Sequence, residues 1–256
     1  IEVDESKFWE ALAINTFTKR GLHPEAQHSF RVRTVCGNEV SEWSGTVNGI
    51  TQKAPEFLKC AWKECPEYVS ENRRYSADGE NTRIATKTNG DYGHCTIIGN
   101  TPLPLNKVTS WSIKVLNARK NDGSCIYVGV APSDIDQNED SNYYKCGWYF
   151  DCYSSTLWSE PPHNCFNDKG YGPRKGNGNY VHTGDSVGVV MDTTKGELSF
   201  VVSGVNLGVA FYGILLDKPL VPCVVLMCKG DSVELDTSVV KVMKVNSSIP
   251  VPSNVS

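Results

Sequence analysis

The sequence predicts an all-β fold, an antiparallel β-sandwich of jelly-roll type, and two observations carry that expectation. Short runs rich in Val, Ile, Thr and aromatic residues recur along the chain, separated by clusters of Gly, Asn and Asp. Helical periodicity is missing over any long stretch; at most Glu5 to Ile14 and Pro66 to Arg73 form short turns. Many short strands spaced by turn residues are what two packed sheets require.

The clearest strand signals are Trp111–Val115, Ile126–Val130, Ser186–Met191, Leu198–Val202 and Leu220–Leu226. Asn121-Asp-Gly-Ser and Ser203-Gly-Val-Asn supply residues that tolerate positive φ, as tight hairpins demand. Val187, Val189 and Met191 alternate with small or polar residues, so they face inward. Asp185 and Asp192 bracket that strand and are expected to fix its turns by side-chain to backbone bonds. Gly129 and Gly188 are expected to leave room where facing sheets approach.

Bulk composition narrows the function. The 256 residues carry 25 Lys and Arg against 29 Asp and Glu, a net charge of −4, which argues against nucleic acid as a ligand because phosphate binding needs a basic face. No apolar run approaches the roughly 18 residues of a membrane span. The longest, around Leu220 to Met227, is interrupted by Pro222 and reads as a buried strand. No signal peptide is visible and no Met opens the chain, so the expectation is a cytoplasmic fragment of a larger multidomain protein or complex. Ten cysteines are present, and Cys36, Cys125 and Cys223 lie in strand-like runs where a thiol packs as a small hydrophobe. They are therefore read as free thiols. Asn246-Ser-Ser and Asn254-Val-Ser match the glycosylation pattern by chance in a polar tail.

The chain divides at a polar stretch. Residues 1–46 form one segment, 47–56 a linker containing Pro55, 57–240 the main domain and 241–256 a loose tail. In the front segment Phe17, Leu22, Phe30, Val32 and Val35 are the apolar anchors, and Phe30-Arg-Val-Arg alternates at period two. With Gly21-Leu22-x-Pro24 and the run Ser41-Glu-Trp-Ser, this segment resembles the last strands of a fibronectin type III domain. It covers about half such a domain and carries His28 where that family places a corner tyrosine.

The main domain carries six motifs in order: Trp111-Ser-Ile-Lys-Val, Ile126-Tyr-Val-Gly-Val-Ala, Gly147-Trp-Tyr-Phe-Asp, Gly184-Asp-Ser-Val-Gly-Val-Val-Met-Asp, Gly196-Glu-Leu-Ser-Phe with Gly204-Val-Asn-Leu-Gly, and Leu220-Val-Pro-Cys-Val-Val. In this order they resemble the SPRY family. The resemblance implies a SPRY-type β-sandwich, no catalysis, no cofactor and no metal. Fibronectin type III followed by SPRY is similar to a subgroup of tripartite-motif ubiquitin ligases and related cytoskeletal proteins.

In that family, loops at one end of the sandwich grip a short segment of another protein, so the chain is read as an adaptor or assembly component with a protein or peptide ligand. The implied partner-binding residues are Trp62, Lys63 and Glu64 in Trp62-Lys-Glu-Cys-Pro, Tyr143 and Tyr144, and Met227 and Lys229. The third stretch lacks the tryptophan, and the first the Asn-rich run, of SPRY proteins carrying a SOCS box, so a different ligand is expected: a polar partner with one apolar anchor. The competing reading of Tyr143 and Tyr144 is that they cap the core.

Other chemistries fit the residues less well. Asp134, Asp136, Asn138 and Asp140 alternate like a calcium loop, but Glu139 stands where glycine is needed and Lys145 where a bidentate Glu belongs. Cys60-x4-Cys65 and His94-Cys95 lack a second pair at zinc spacing. The glycine-rich, basic stretch 167–179 has no phosphate-loop order and reads as a hairpin loop. His94, His163 and His182 are scattered, with no nucleophile elbow to serve. The alternative function is a carbohydrate-binding sandwich, in which Tyr171, Tyr180, Trp148 and Trp158 stack on sugar rings.

Overall fold

The computed structural model describes residues 2–3, 6–7, 25–33, 35–36, 39–50, 55–77, 82–90, 93–119, 126–138, 147–159, 171, 181–236 and 244–245. The chain separates into two units, Ile1–Ala54 and Pro55–Ser256.

The first unit contains β1 (Glu2–Val3), β2 (Ser6–Lys7), β3 (Gln27–Arg31), β4 (Val35–Cys36), β5 (Glu39–Val40) and β6 (Val47–Ile50). β2, β1, β3 and β6 make one antiparallel sheet, while β4 and β5 pair as a separate hairpin. The period-two run at Phe30 is β3. Residues 47–50, assigned from sequence to the linker, instead form β6, in register with β3 from Gln27↔Ile50 to Phe30↔Val47. The polarity that suggested a linker belongs to a strand whose side chains are all exposed. Trp43 is held by the guanidinium groups of Arg31 and Arg33, 5.3 and 4.4 Å from its ring. Such contacts contribute about 0.5–1 kcal/mol each at exposed sites.

The second unit contains β7 (Glu56–Phe57), β8 (Tyr75–Ser76), β9 (Ile84–Lys87), β10 (Cys95–Ile98), β11 (Val108–Asn117), β12 (Ile126–Pro132), β13 (Trp148–Asp151), β14 (Leu157–Trp158), β15 (Ser186–Asp192), β16 (Glu197–Val202), β17 (Val205–Phe211), β18 (Leu220–Leu226), β19 (Ser232–Asp236) and β20 (Lys244–Val245). They build two sheets. The larger runs β20-β17-β16-β15-β11-β19-β9-β8, with β7 parallel to β11; the smaller runs β10-β18-β12-β13-β14. The fold is the expected all-β sandwich of antiparallel sheets. In the stretch expected as a loose tail, Lys244–Val245 pairs in parallel with Val205–Asn206.

Alternation decides which side chains meet between the sheets. Trp111, Ile113 and Val115 of β11, Val187, Val189 and Met191 of β15, and Leu198, Phe200 and Val202 of β16 are buried from the large sheet. Ile97, Ile126, Val128, Val130, Trp148 and Phe150 meet them from the small one. Phe150 and Phe200 bridge the layers with centroids 5.5 Å apart, and Tyr171 stands edge-on to both rings. A second, smaller cluster of Ile98, Ala131, Ile135, Tyr149, Val221, Cys223 and Val225 lies on the other face of the small sheet. β18 therefore is buried on both sides, with Val221, Cys223 and Val225 in one cluster and Leu220, Val224 and Leu226 in the other.

The turns follow their chemistry. Asp185 Oδ2 accepts from His182 N–H at 2.9 Å and Asp192 Oδ1 from Thr194 N–H at 2.9 Å, as expected. Ser203 and Gly204, at φ of 50° and 74°, turn the β16–β17 hairpin. At Gly129 the expectation needs correction: a Cβ there would collide with the Trp148 carbonyl of the neighbouring strand in the same sheet, not with the facing layer. Cys60, Cys65, Cys95, Cys152, Cys223 and Cys228 are free thiols. Burial pushes the Cys223 thiol up to about 12, against the Tyr149 hydroxyl bonded to it, so it packs as a neutral hydrophobe.

Phe200→Ala empties the contact between the layers. It is expected to lower the unfolding free energy by about 3–5 kcal/mol in urea titration; a change below about 1 kcal/mol would show that the two sheets do not depend on this ring.

Candidate docking rim

The first expected stretch begins inside the fold. Trp62 bridges Gly99, its N–H donating to Thr82 O at 3.1 Å, while Lys63 N–H donates to Ile98 O at 2.9 Å. Asn100 clamps the same segment, accepting from Ala61 N–H through Oδ1 at 3.1 Å. These bonds turn the Trp62 ring inward, where it is 3% exposed among the core residues. It is thus a core residue rather than a partner contact. A large aromatic beside a strand-like bridge gains more by burial than a loop position allows.

Beyond Trp62 the chain surfaces. Lys63 is half-buried, and Glu64, Glu67 and Tyr68 are exposed, the Tyr68 ring belonging to a residue 63% exposed. Val69, buried beside it, anchors a turn in which its N–H donates to Pro66 O at 3.2 Å. Arg74 donates to Val69 O at 3.2 Å, and Asn138 Oδ1 accepts from Ser70 N–H at 2.9 Å. Tyr68 therefore rides on a pinned turn. Nothing in the sequence marks it, because an aromatic between Glu67 and Ser70 has no strand pattern at period two around it.

The third stretch, Met227–Lys229, leaves the end of β18. Asp231 shapes it, accepting from Cys228 N–H at 2.8 Å and from Arg119 N–H at 3.0 Å. Burial raises the Asp231 carboxyl above its usual range, opposed by these amides and by the charge of Lys87. Gly230, at φ 89°, closes the turn and donates to Lys87 O at 2.9 Å. Met227 is half-buried and Lys229 exposed.

One cross-strand pair joins the two stretches. Tyr75 of β8 opposes Lys87 of β9. The Tyr75 hydroxyl reaches the carbonyls of Lys63 and Glu64 at 3.1 and 3.2 Å, while it accepts from Gln137 Nε2 at 3.2 Å. The Lys87 ammonium donates to Met227 O at 2.7 Å and Gly93 O at 2.6 Å. The two stretches are thus bonded from one strand pair, Lys63 and Glu64 by Tyr75 and Met227 by Lys87. Tyr143 and Tyr144 lie outside the described residues.

The sugar-stacking residues are mostly withdrawn. Trp148 and Tyr171 are buried, and the Tyr171 hydroxyl donates to Gly208 O; Tyr180 lies outside the described residues. Trp158 remains 39% exposed, edge-on to Tyr127. Its Nε1–H donates to Thr156 Oγ1 at 3.1 Å, which shares a bond with Ser154 Oγ, and Ser154 Oγ donates to Asp151 Oδ2 at 2.6 Å. Asp134 pairs with Lys218 at 2.9 Å, and Asp136 accepts from Asn138 N–H at 2.9 Å. Among the described residues no three His, Cys, Asp or Glu side chains are grouped to hold a metal.

Residues 108–238 match the family model described as the SPRY domain. The chain belongs to the SPRY domain family. Members of the SPRY family are protein-interaction modules, generally non-catalytic. No curated protein matches the chain. Among solved structures it is similar to the SPRY domain of human HERC1, at 20% identity and TM-score 0.47, covering 63% of this chain and 91% of that one. It is also similar to a human SPRY domain at 14% identity and TM-score 0.47, covering 64% and 98%. A third is the PSpry domain of TRIM65, at 11% identity and TM-score 0.44, covering 70% and 93%.

Burial also raises the Asp151 carboxyl, against bonds from Ser154 and Tyr153 that lower it. A carboxyl raised on folding binds its proton more tightly in the native state, so its contribution falls as pH rises from the usual carboxylate range through the raised value. The stability of the native protein relative to Asp151→Asn should therefore increase on acidification through that window. Parallel thermal melts check this; a difference constant with pH would mean that Asp151 titrates as in the unfolded chain.

Proposed function

We propose that the SPRY domain of this chain docks a short segment of another protein against the rim formed by Lys63, Glu64, Tyr68, Met227 and Lys229. The observation that carries the reading is the exposed Tyr68 ring on a turn fixed at both ends, beside charges of both signs. An aromatic held in place supplies contact area at little entropic cost, and flanking charges fix register. The ligand that suits it is a polar peptide with one apolar side chain to lie on the Tyr68 ring. Mixed charge at the rim, with Lys63 and Lys229 beside Glu64 and Glu67, fits a segment carrying both signs.

The front unit is read as a partial fibronectin type III-like segment, supported by the alternation at Phe30 and the Arg31–Trp43–Arg33 stack. With the SPRY domain it composes an adaptor or assembly component, tripartite-motif-like in arrangement and cytoplasmic in location. The carbohydrate reading retains Trp158 alone among the described residues, and the neighbouring hydroxyls are occupied within the Asp151–Ser154–Thr156 relay. A sugar would lose hydration there without gaining partners.

The test is to select peptides on the native chain from a random-sequence display library and measure their affinity for Tyr68→Ala with Lys229→Glu. Loss of about tenfold or more, 1.4 kcal/mol, with unfolding free energy changed by less than about 0.5 kcal/mol per exposed site, supports the rim. Binders indifferent to both changes, or a glycan array that captures the chain through Trp158, would overturn it.

A further inference from the structure

We infer that Tyr75 and Lys87 are positioning residues that set the spacing of the docking rim, an assignment that rests on the docking reading above. Lys87 carries the stronger argument. It is 0% exposed, and a lysine taken wholly out of water loses hydration that an apolar residue of the same length would never have had. Methionine would fill the same channel without that cost. What the ammonium supplies and a thioether does not is directed bonds to two carbonyls from separate loops, Gly93 O before β10 and Met227 O after β18. Its backbone serves the same turn: Lys87 N–H donates to Asp231 O and Lys87 O accepts from Gly230 N–H, both at 2.9 Å. Charged and titratable groups around it include Asp231, which shapes the 227–231 turn, and the Cys95 thiol, kept protonated by burial.

Tyr75 does the corresponding work for the other stretch. Its ring is buried, and its hydroxyl lies at the Lys63 and Glu64 carbonyls, oriented by the Gln137 carboxamide, which is itself fixed on Thr96 O at 2.8 Å. Tyr75 and Lys87 are direct partners in the β8–β9 ladder. Beyond the main-chain bonds that hold Lys63 and the end of β18, the two ends of the rim are therefore each tied by a side chain of the same cross-strand pair. An interface of this kind is formed before its ligand arrives, and its affinity depends on that preorganisation.

The test uses Lys87→Met and Tyr75→Phe in the full chain, each removing the polar group and keeping the bulk. Amide hydrogen exchange should accelerate tenfold or more at Cys228, Gly230 and His94 in the first variant, and at Lys63 and Cys65 in the second, with β11 and β15 amides unchanged. A peptide selected on the native chain and dependent on Tyr68 should lose affinity at least fivefold in each variant, and Lys87→Arg, which keeps the donors, should recover part of it. Uniform acceleration over the whole sandwich would make Lys87 a general stability residue and overturn the assignment, as would a Tyr68-dependent peptide that binds both variants like the native chain. Should Lys87→Met fail to fold, Tyr75→Phe decides alone. If exchange responds as expected while no selected peptide depends on the rim, the docking reading falls and the positioning role with it.

Discussion

The sandwich turns on a strand that has no solvent face. All seven residues of β18 are buried, because both sides of the sheet in which it lies are covered by apolar clusters. A strand desolvated on both faces must be almost wholly apolar, which is how Leu220–Leu226 reads. It also sits centrally, between β10 and β12. Pro222 in such a strand removes one ladder donor, and the fold accommodates it locally. Gly99 lies opposite, its N–H donating to Pro222 O at 2.8 Å, and a Cβ on Gly99 would approach the proline ring to 3.1 Å and Cys60 Sγ to 2.6 Å. The glycine thus admits the ring that the strand would otherwise exclude. The same strand then delivers Met227 to the rim, so the placement of the docking surface follows from the burial of the core.

Electrostatics within the domain follow the same logic. Asp151 and Asp231 are buried carboxyls used as turn-formers, each receiving backbone N–H groups. Burial raises both, and the hydrogen bonds offset part of that cost. Lys87 is retained in a channel where an apolar residue would be cheaper, and the return is geometric. Buried polar groups of this kind specify one arrangement of loops in a fold whose apolar core would tolerate several.

Much of the sandwich was legible in the sequence because alternation and turn chemistry are local. Trp111–Val115, Ser186–Met191 and Leu198–Val202 appear as strands with their apolar residues inward, and the Asp185 and Asp192 turns form as read. Short strands were not legible. β7, β8 and β20 have two residues each, and their pairing is decided by distant partners. Trp62 was misplaced because its burial depends on a bridge to Gly99, thirty-seven positions away, that no local pattern encodes. Lys87 left no local signal: in Ile84-Ala-Thr-Lys it holds the inward phase with Ala85, while the larger apolar Ile84 takes the exposed one. Alternation alone would have turned it outward, and nothing local says which carbonyls would receive it.

Because opposed residues in a ladder alternate between faces, the Tyr75–Lys87 pair constrains how this region can diverge. A change of length between β8 and β9 that preserves the register of their ladder leaves both side chains on their face. An insertion that slipped β8 against β9 by a single residue would turn Tyr75 to the opposite face, while Lys87, whose strand is also paired with β19, kept its own, and would release the Lys63–Glu64 end of the rim. Length variation between the two strands should therefore be tolerated as long as they keep their phase and the Thr82 and Arg83 carbonyls still receive the Trp62 and Leu235 amides.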